Sequence, residues 1–184
     1  MHHVFDAEHG RIELVQGNIV AQAVDAIVNA ANTTLAGGGG VDGALHRAAG
    51  PGLLEECLRL PEYVPGRRCP TGEVRLTGAG RLPARWVIHA VGPVYNERHP
   101  DKSHRLLRQV HDNALAAAAD KGCRSVAFPA ISTGAYGFPM EEAAPIALGV
   151  AREHLRKATS VELVRFVLFT AADMDVFASA LQSV

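Results

Sequence analysis

The 184-residue sequence is short of cysteine, has almost no charge imbalance and contains no long apolar run, and each shortage excludes a class of protein. Its three cysteines, Cys57, Cys69 and Cys123, are odd in number and form no C-x-x-C pair. That argues against a disulfide framework or a structural zinc, and for reduced thiols in a cytosolic protein. Eighteen Lys and Arg against nineteen Asp and Glu give a formal net charge of −1, so no global positive field draws the chain to nucleic acid. The densest basic groups, Arg67-Arg68 and residues 98–108, allow a local patch at most. No apolar stretch approaches the roughly 20 residues needed to span a bilayer. The opening Met1-His2-His3-Val4-Phe5-Asp6 lacks a basic segment followed by an apolar one. A cytoplasmic location with no membrane partner is the expectation.

What is present suffices for one core. Hydrophobic residues make up 48% of the chain, and its length fits a single domain over residues 1–184. Apolar segments of strand length alternate with segments of helical period. Residues 11–16 alternate, with Ile12 and Leu14 on one face, and residues 73–77 alternate again. Residues 26–29, 86–91, 125–131 and 163–169 are short apolar runs. Continuous apolar strands between helices imply a sheet covered on both faces.

Helix ends are legible as well. Ser103 is a candidate cap for a helix carrying Leu106, Leu107, Val110, Ala114 and Ala117 and closed by Gly122. Glu141 and Glu142 suit the first turn of another, with Ala143, Ala147, Val150, Ala151 and His154 inward and Pro145 tolerable only near its start. A helix opening near Gly43 breaks at Gly50-Pro51, where Pro51 starts a second. The last helix covers residues 173–181, and residues 61–71 read as a surface loop. The expected architecture is a three-layer α/β/α domain. Architecture alone does not specify chemistry.

The most informative stretch runs from Val28 through Asn29-Ala30-Ala31-Asn32 and Gly37-Gly38-Gly39-Gly40-Val41-Asp42-Gly43 to His46. A buried strand enters a four-glycine loop that opens a helix. Such a loop can aim several N–H groups at one anion, and the helix start adds free donors and a positive dipole end. Neither a Walker A lysine nor a spaced G-x-G-x-x-G is present. A second loop, Ser132-Thr133-Gly134-Ala135-Tyr136-Gly137-Phe138, follows another expected strand and precedes a helix in the same way. Two such loops on neighbouring strand ends could grip a diphosphate from both sides. Tyr136 and Phe138 offer aromatic surface to a sugar or base, at least one of them being ordinary packing.

Asp42 stands among the glycines, where a carboxylate faces bound phosphate. It is either a helix-start carboxylate stabilised by the dipole or the holder of a water beside the diphosphate. His46, one turn on, shares its face and is either a satisfied helix histidine or an acid/base group. Asn29 and Asn32 end the apolar strand; one amide can serve the turn while the other faces a ligand hydroxyl.

These motifs, with Val91-Gly92-Pro93 between them, resemble the signatures of the macrodomain family, and the glycine block resembles its MacroD-type branch. The resemblance covers nearly the whole chain from about Ile12. It implies a mixed central sheet between helices with ADP-ribose in a crest cleft. By that resemblance Asn32 positions the distal ribose and Asp42 orients the attacking water, with His46 as a further catalytic candidate. Gly38, Gly39, Gly40, Val41, Ser132, Thr133, Gly134, Ala135 and Tyr136 hold the diphosphate, Ala31 joins the binding set, and Phe169 stacks on adenine. Where the family usually has Gly-Asp-Ile, this chain has Gly17-Asn18-Ile19. An asparagine oxygen accepts without charge assistance, so weaker adenine selectivity is expected.

The resemblance implies no metal and no cofactor. Its partners are ADP-ribose or O-acetyl-ADP-ribose and ADP-ribosylated proteins, with nucleic acid only where that is ADP-ribosylated, and a monomer is expected. The reading is a hydrolase acting on O-acetyl-ADP-ribose or on mono-ADP-ribosylated acidic side chains. The alternatives are a reader that binds ADP-ribose without turnover, which needs the loops but not the Asn32/Asp42 pair, and a phosphatase on ADP-ribose phosphates.

Overall fold

A computed structural model describes residues 2–184. The chain opens with a hairpin of β1 (His2–Ala7) and β2 (Gly10–Gln16), and a short 3-10 turn (Ile19–Ala21) leads to β3 (Ala26–Ala30). Helices α1 (Gly40–Ala49) and α2 (Pro51–Arg59) precede β4 (Val74–Gly78) and β5 (Trp86–Ala90). Then α3 (Pro100–Asp120), β6 (Ser125–Phe128), α4 (Met140–Leu155), β7 (Leu163–Leu168) and α5 (Ala171–Leu181) follow. The strands form one seven-stranded sheet in the order β1-β2-β7-β6-β3-β5-β4. Pairing is parallel from β2 to β5 and antiparallel at both edges, so the sheet is mixed.

Strand residues alternate between two cores, as a sheet covered on both faces requires. Ala26 and Val28 of β3, Ile88 and Ala90 of β5, and Val164 and Phe166 of β7 pack with residues of α3, α4 and α5. Ile27, Val87 and Val167, one step out of phase, pack with Leu45 of α1 and Leu53 of α2. The three layers follow from that alternation. A third, smaller cluster of Ala31, Leu35, Cys57, Cys69 and Val91 sits under the first glycine loop.

Several expected boundaries move, and the moves have physical reasons. Strand β1 is absent from the sequence reading because His2–Ala7 is a mostly exposed edge strand without an apolar alternation. Helix α3 begins at Pro100, not behind Ser103: proline's fixed φ suits the first helical position. Ser103 is buried inside the helix, and its hydroxyl accepts from the Asn96 N–H at 3.0 Å. Helix α1 starts at Gly40 instead of Gly43, and α5 starts at Ala171 behind Thr170, whose side chain accepts from the Asp173 N–H. Val91, Ile131 and Phe169, expected as strand residues, lie beyond the ends of β5, β6 and β7. They sit where the chain leaves the sheet, at the edge that carries the site.

Candidate functional site

The carboxyl ends of β3 and β6 lie side by side. From β3 the chain goes on through α1 and α2 to β4 and β5, while from β6 it goes through α4 to β7 on the other side. Connections that diverge from adjacent parallel strands leave a crevice at their carboxyl ends. Both glycine loops emerge into it.

Two cavities occupy the crevice. One, of about 300 Å³, is lined by Ala31, Asn32, the 38–42 loop, Gly92, Ser132 and Gly134-Ala135-Tyr136. The other, of about 550 Å³, is lined by Gly17-Asn18-Ile19, Arg47, Thr133, Phe169 and Asp173, among others. They share Gly40, Val41, Ala130 and Gly134, so the two loops form the waist of one trough. Every residue that the family resemblance placed at the site lines one cavity or the other except His46, whereas the further candidates Asn29 and Phe138 line neither.

The waist is built of N–H groups. The N-terminal turn of α1 has no side-chain cap, and the first N–H of a helix lacks an intrahelical acceptor. The N–H groups of Gly134, Ala135 and Tyr136 also have no protein acceptor among the described residues. Free donors of this kind beside the positive end of a helix dipole are suited to hold an anion. Close approach of the segment after β5 to the second loop depends on Gly92: a Cβ there would lie 2.2 Å from the Ser132 hydroxyl oxygen and 2.5 Å from the Ile131 side chain. Ser132 itself is held at φ 68°, in the left-handed region, with its buried hydroxyl facing no protein partner. Such strain in a non-glycine residue costs about 1–3 kcal/mol and persists where surrounding structure imposes it.

In the smaller cavity, Asn32 and Asp42 converge on Gly38. A Cβ at Gly38 would lie 3.0 Å from Asp42 Oδ2 and 3.3 Å from Asn32 Nδ2, so only glycine leaves both in place. The Asn32 amide is fixed by its own loop: Nδ2 donates to the Gly37 carbonyl at 3.0 Å, and Oδ1 accepts from the Thr34 N–H at 3.0 Å. Asp42 is 5% exposed. Its Oδ1 accepts from Asn29 Nδ2 at 2.7 Å and lies 3.3 Å from His46 Nε2, while Oδ2 turns to Gly38 and the cavity. His46 lines neither cavity and meets the site through its contact with Asp42.

Behind Asp42 lies a buried polar row that sequence reading did not assemble. Asn29 and His89 are in register on neighbouring β3 and β5, in phase with Ile27 and Val87, and so face α1 and α2. Both are fully buried. His89 Nδ1 is 3.2 Å from Asn29 Nδ2, and His89 Nε2 is 2.9 Å from the Thr77 hydroxyl. Burial, reinforced by His46, pushes the His89 pKa down to about 3, so the ring is neutral in the folded protein. Burial, then Asp42 and Glu56, pushes the neighbouring Cys57 thiol up to about 11, so it is protonated and no nucleophile.

The larger cavity has exposed residues at its rim. Phe169 is 83% exposed at the end of β7. Asn18 is exposed, and its Oδ1 accepts from the Val20 N–H at 3.2 Å as the cap of the 3-10 turn. Arg47 and Asp173, both missed in the sequence, also line it. Nothing short of the fold shows that Arg47, exposed on α1, turns to this cavity. Of the two aromatics in the second loop, Tyr136 lines the smaller cavity, while Phe138 is buried against Tyr95 and His104 as packing. The expected surface loop 61–71 does more than connect. Arg68 donates to the Thr34 carbonyl at 2.8 Å, its N–H and that of Cys69 donate to the Thr33 carbonyl, and Cys69 is fully buried. It buttresses the Asn32 turn. Among the described residues no group of three or more His, Cys, Asp or Glu could hold a metal ion, and no helix is long and apolar enough to cross a membrane.

Comparison with known proteins places this geometry. The family described as Macro domain matches residues 28–147. The chain belongs to the macro domain family. A Macro domain-containing protein of Caldanaerobacter subterraneus is 49% identical over 170 residues, 92% of this chain and 95% of that protein. A Citrobacter rodentium protein named O-acetyl-ADP-ribose deacetylase is 47% identical over 161 residues, 88% of this chain and 89% of that one. The macrodomain of Oceanobacillus iheyensis, solved with ADP, superposes on this macro domain with a TM-score of 0.94 at 41% identity, covering 100% of this chain and 96% of that one. A variant of it was solved with ADPR (TM-score 0.93, 41% identity, 100% and 98% covered). The three-layer fold with a central mixed sheet is thus the macrodomain fold.

Proposed function

We propose that this macro domain binds ADP-ribose along the trough and hydrolyses an ester carried on the distal ribose. The observation that carries the reading is the convergence of Asp42 Oδ2 and Asn32 on Gly38 in the smaller cavity of the trough, next to the anion-binding waist. The names of its relatives support it: one is an O-acetyl-ADP-ribose deacetylase, and a neighbour of near-identical fold was solved with ADPR.

The chemistry follows from where each group stands. The helix start and the second loop hold the diphosphate, which fixes the distal ribose against Asn32 and Tyr136. The spare Asn32 Nδ2–H donates to a ribose hydroxyl. Asp42 Oδ2 accepts a hydrogen bond from a water and turns its lone pair to the ester carbonyl. The water oxygen bonds to that carbon, the ester C–O bond breaks, and the ribose oxygen leaves as a hydroxyl carrying a proton from the water. From O-acetyl-ADP-ribose the products are ADP-ribose and acetate; from a modified Asp or Glu they are ADP-ribose and the free side chain. Orientation of a held water, without a side-chain nucleophile, supplies the rate. The N–H donors at the waist of the trough stabilise the developing oxyanion.

Incubation with O-acetyl-ADP-ribose and with an aspartate/glutamate-ADP-ribosylated protein tests the reading. Consumption of at least one, with release of ADP-ribose, is expected. Binding of ADP-ribose with neither substrate consumed would make the protein a reader and end the hydrolase reading.

A further inference from the structure

We infer that Thr77 and His89, acting through Asn29, form a directed chain of hydrogen bonds that positions Asp42 for the reaction; this rests on the hydrolase reading above. The chain has one consistent direction. The Thr77 hydroxyl donates to the Gly78 carbonyl at 2.9 Å, which leaves its oxygen to accept. His89 Nε2, 2.9 Å away, is therefore the protonated ring nitrogen and donates to Thr77. Nδ1 is then an acceptor, and Asn29 Nδ2 donates to it across 3.2 Å. The second proton of the same Nδ2 goes to Asp42 Oδ1 at 2.7 Å.

The opposite tautomer breaks the chain at its far end. A protonated Nδ1 would call for the amide oxygen of Asn29 in place of its nitrogen. The turned amide would then set its oxygen against the Asp42 carboxylate, two acceptors face to face. The orientation found has a visible cost: Asn29 Oδ1 is buried without a partner. A buried amide that leaves its oxygen unmade is oriented by its NH₂ side, and both protons of that side are used. The result is an Asp42 with Oδ1 fixed from behind and Oδ2 left to face the cavity.

No member of this row other than Asp42 lines either cavity, so Thr77, His89 and Asn29 are positioning residues. Asn29 and Asp42 stand 13 residues apart, but Thr77 and His89 reach the site only through the β3–β5–β4 pairing. The row links the far edge of the sheet to the carboxylate.

Thr77→Val keeps the shape of the side chain and removes the acceptor that selects the tautomer. It should lower kcat on O-acetyl-ADP-ribose about tenfold, as loss of an outer partner of a reacting group does, while ADP-ribose affinity stays within about twofold. Thr77→Ser, which keeps the hydroxyl, should restore kcat. ¹⁵N NMR of the histidine rings, independent of turnover, should show His89 protonated at Nε2 in the wild type. A wild-type ring protonated at Nδ1 overturns the chain while leaving the hydrolase reading intact. Unchanged kcat in Thr77→Val, or a loss that Thr77→Ser shares or that falls equally on affinity, overturns the positioning role. No turnover by the wild type overturns the reaction and that role together, whatever the ring shows.

Discussion

The two ends of the trough are made differently. Around Asp42 the side chains are buried: every group that touches the carboxylate from behind is buried or nearly so, and Gly38 is the size of the gap between Asp42 and Asn32. Around Phe169 and Asn18 the side chains are exposed, with an aromatic residue 83% exposed and an amide whose oxygen already caps a turn. Hydrogen bonds in a buried row have one geometry and high local strength, whereas exposed contacts are screened and adaptable. The end with buried partners therefore suits chemistry, and the end with exposed ones suits affinity. On this account the reaction belongs to Asp42 and Asn32, and the tightness of binding belongs to Phe169, Asn18 and Arg47.

Substitutions can break that division if it is wrong. The largest effect should come from Asp42→Ala, which should lower turnover of O-acetyl-ADP-ribose by about 100-fold or more with ADP-ribose affinity by calorimetry unchanged. Parallel losses of both would merge the two ends. Phe169→Ala should do the reverse, weakening ADP-ribose about tenfold by removing one stacked face and sparing kcat. Asn18→Asp keeps a cap for the Val20 N–H and adds charge to the acceptor. It should tighten ADP-ribose by about 1 kcal/mol, several-fold in Kd, and unchanged affinity would take residue 18 out of adenine recognition. The smallest effect should be that of Arg47→Ala, about threefold weaker binding that shrinks further in high salt, because an exposed cation is screened.

What was legible in the sequence was local. Strand ends feeding glycine loops, with a carboxylate inside the first loop, pointed before any fold was known to residues that the fold brings around one cavity, and Gly40 to Asp42 do open a helix. The sheet covered on both faces was readable from continuous apolar runs, but β1 was not, because an exposed edge strand needs no apolar period. His89 was the instructive loss. In the sequence it is one polar residue in the apolar run Trp86–Ala90, indistinguishable from any tolerated core histidine. Its meaning lies in register: it sits opposite Asn29 across the β3–β5 ladder, on the face that α1 covers. Pairing between strands 60 residues apart leaves no trace in either strand alone. Arg47 and Arg68 were missed for the same reason, since one turns to a cavity and the other grips a loop distant in sequence.

The central claim is that a water held by Asp42 attacks the ester carbon. Hydrolysis of O-acetyl-ADP-ribose in ¹⁸O-water, followed by mass spectrometry of the acetate, reads that step directly. One ¹⁸O atom in the acetate formed by the wild type, and enzyme-dependent acetate from Asp42→Ala reduced by about 100-fold or more, is the expected result. Unlabelled acetate, labelled acetate formed equally well by Asp42→Ala, or ADP-ribose binding with no ester consumed would contradict the account.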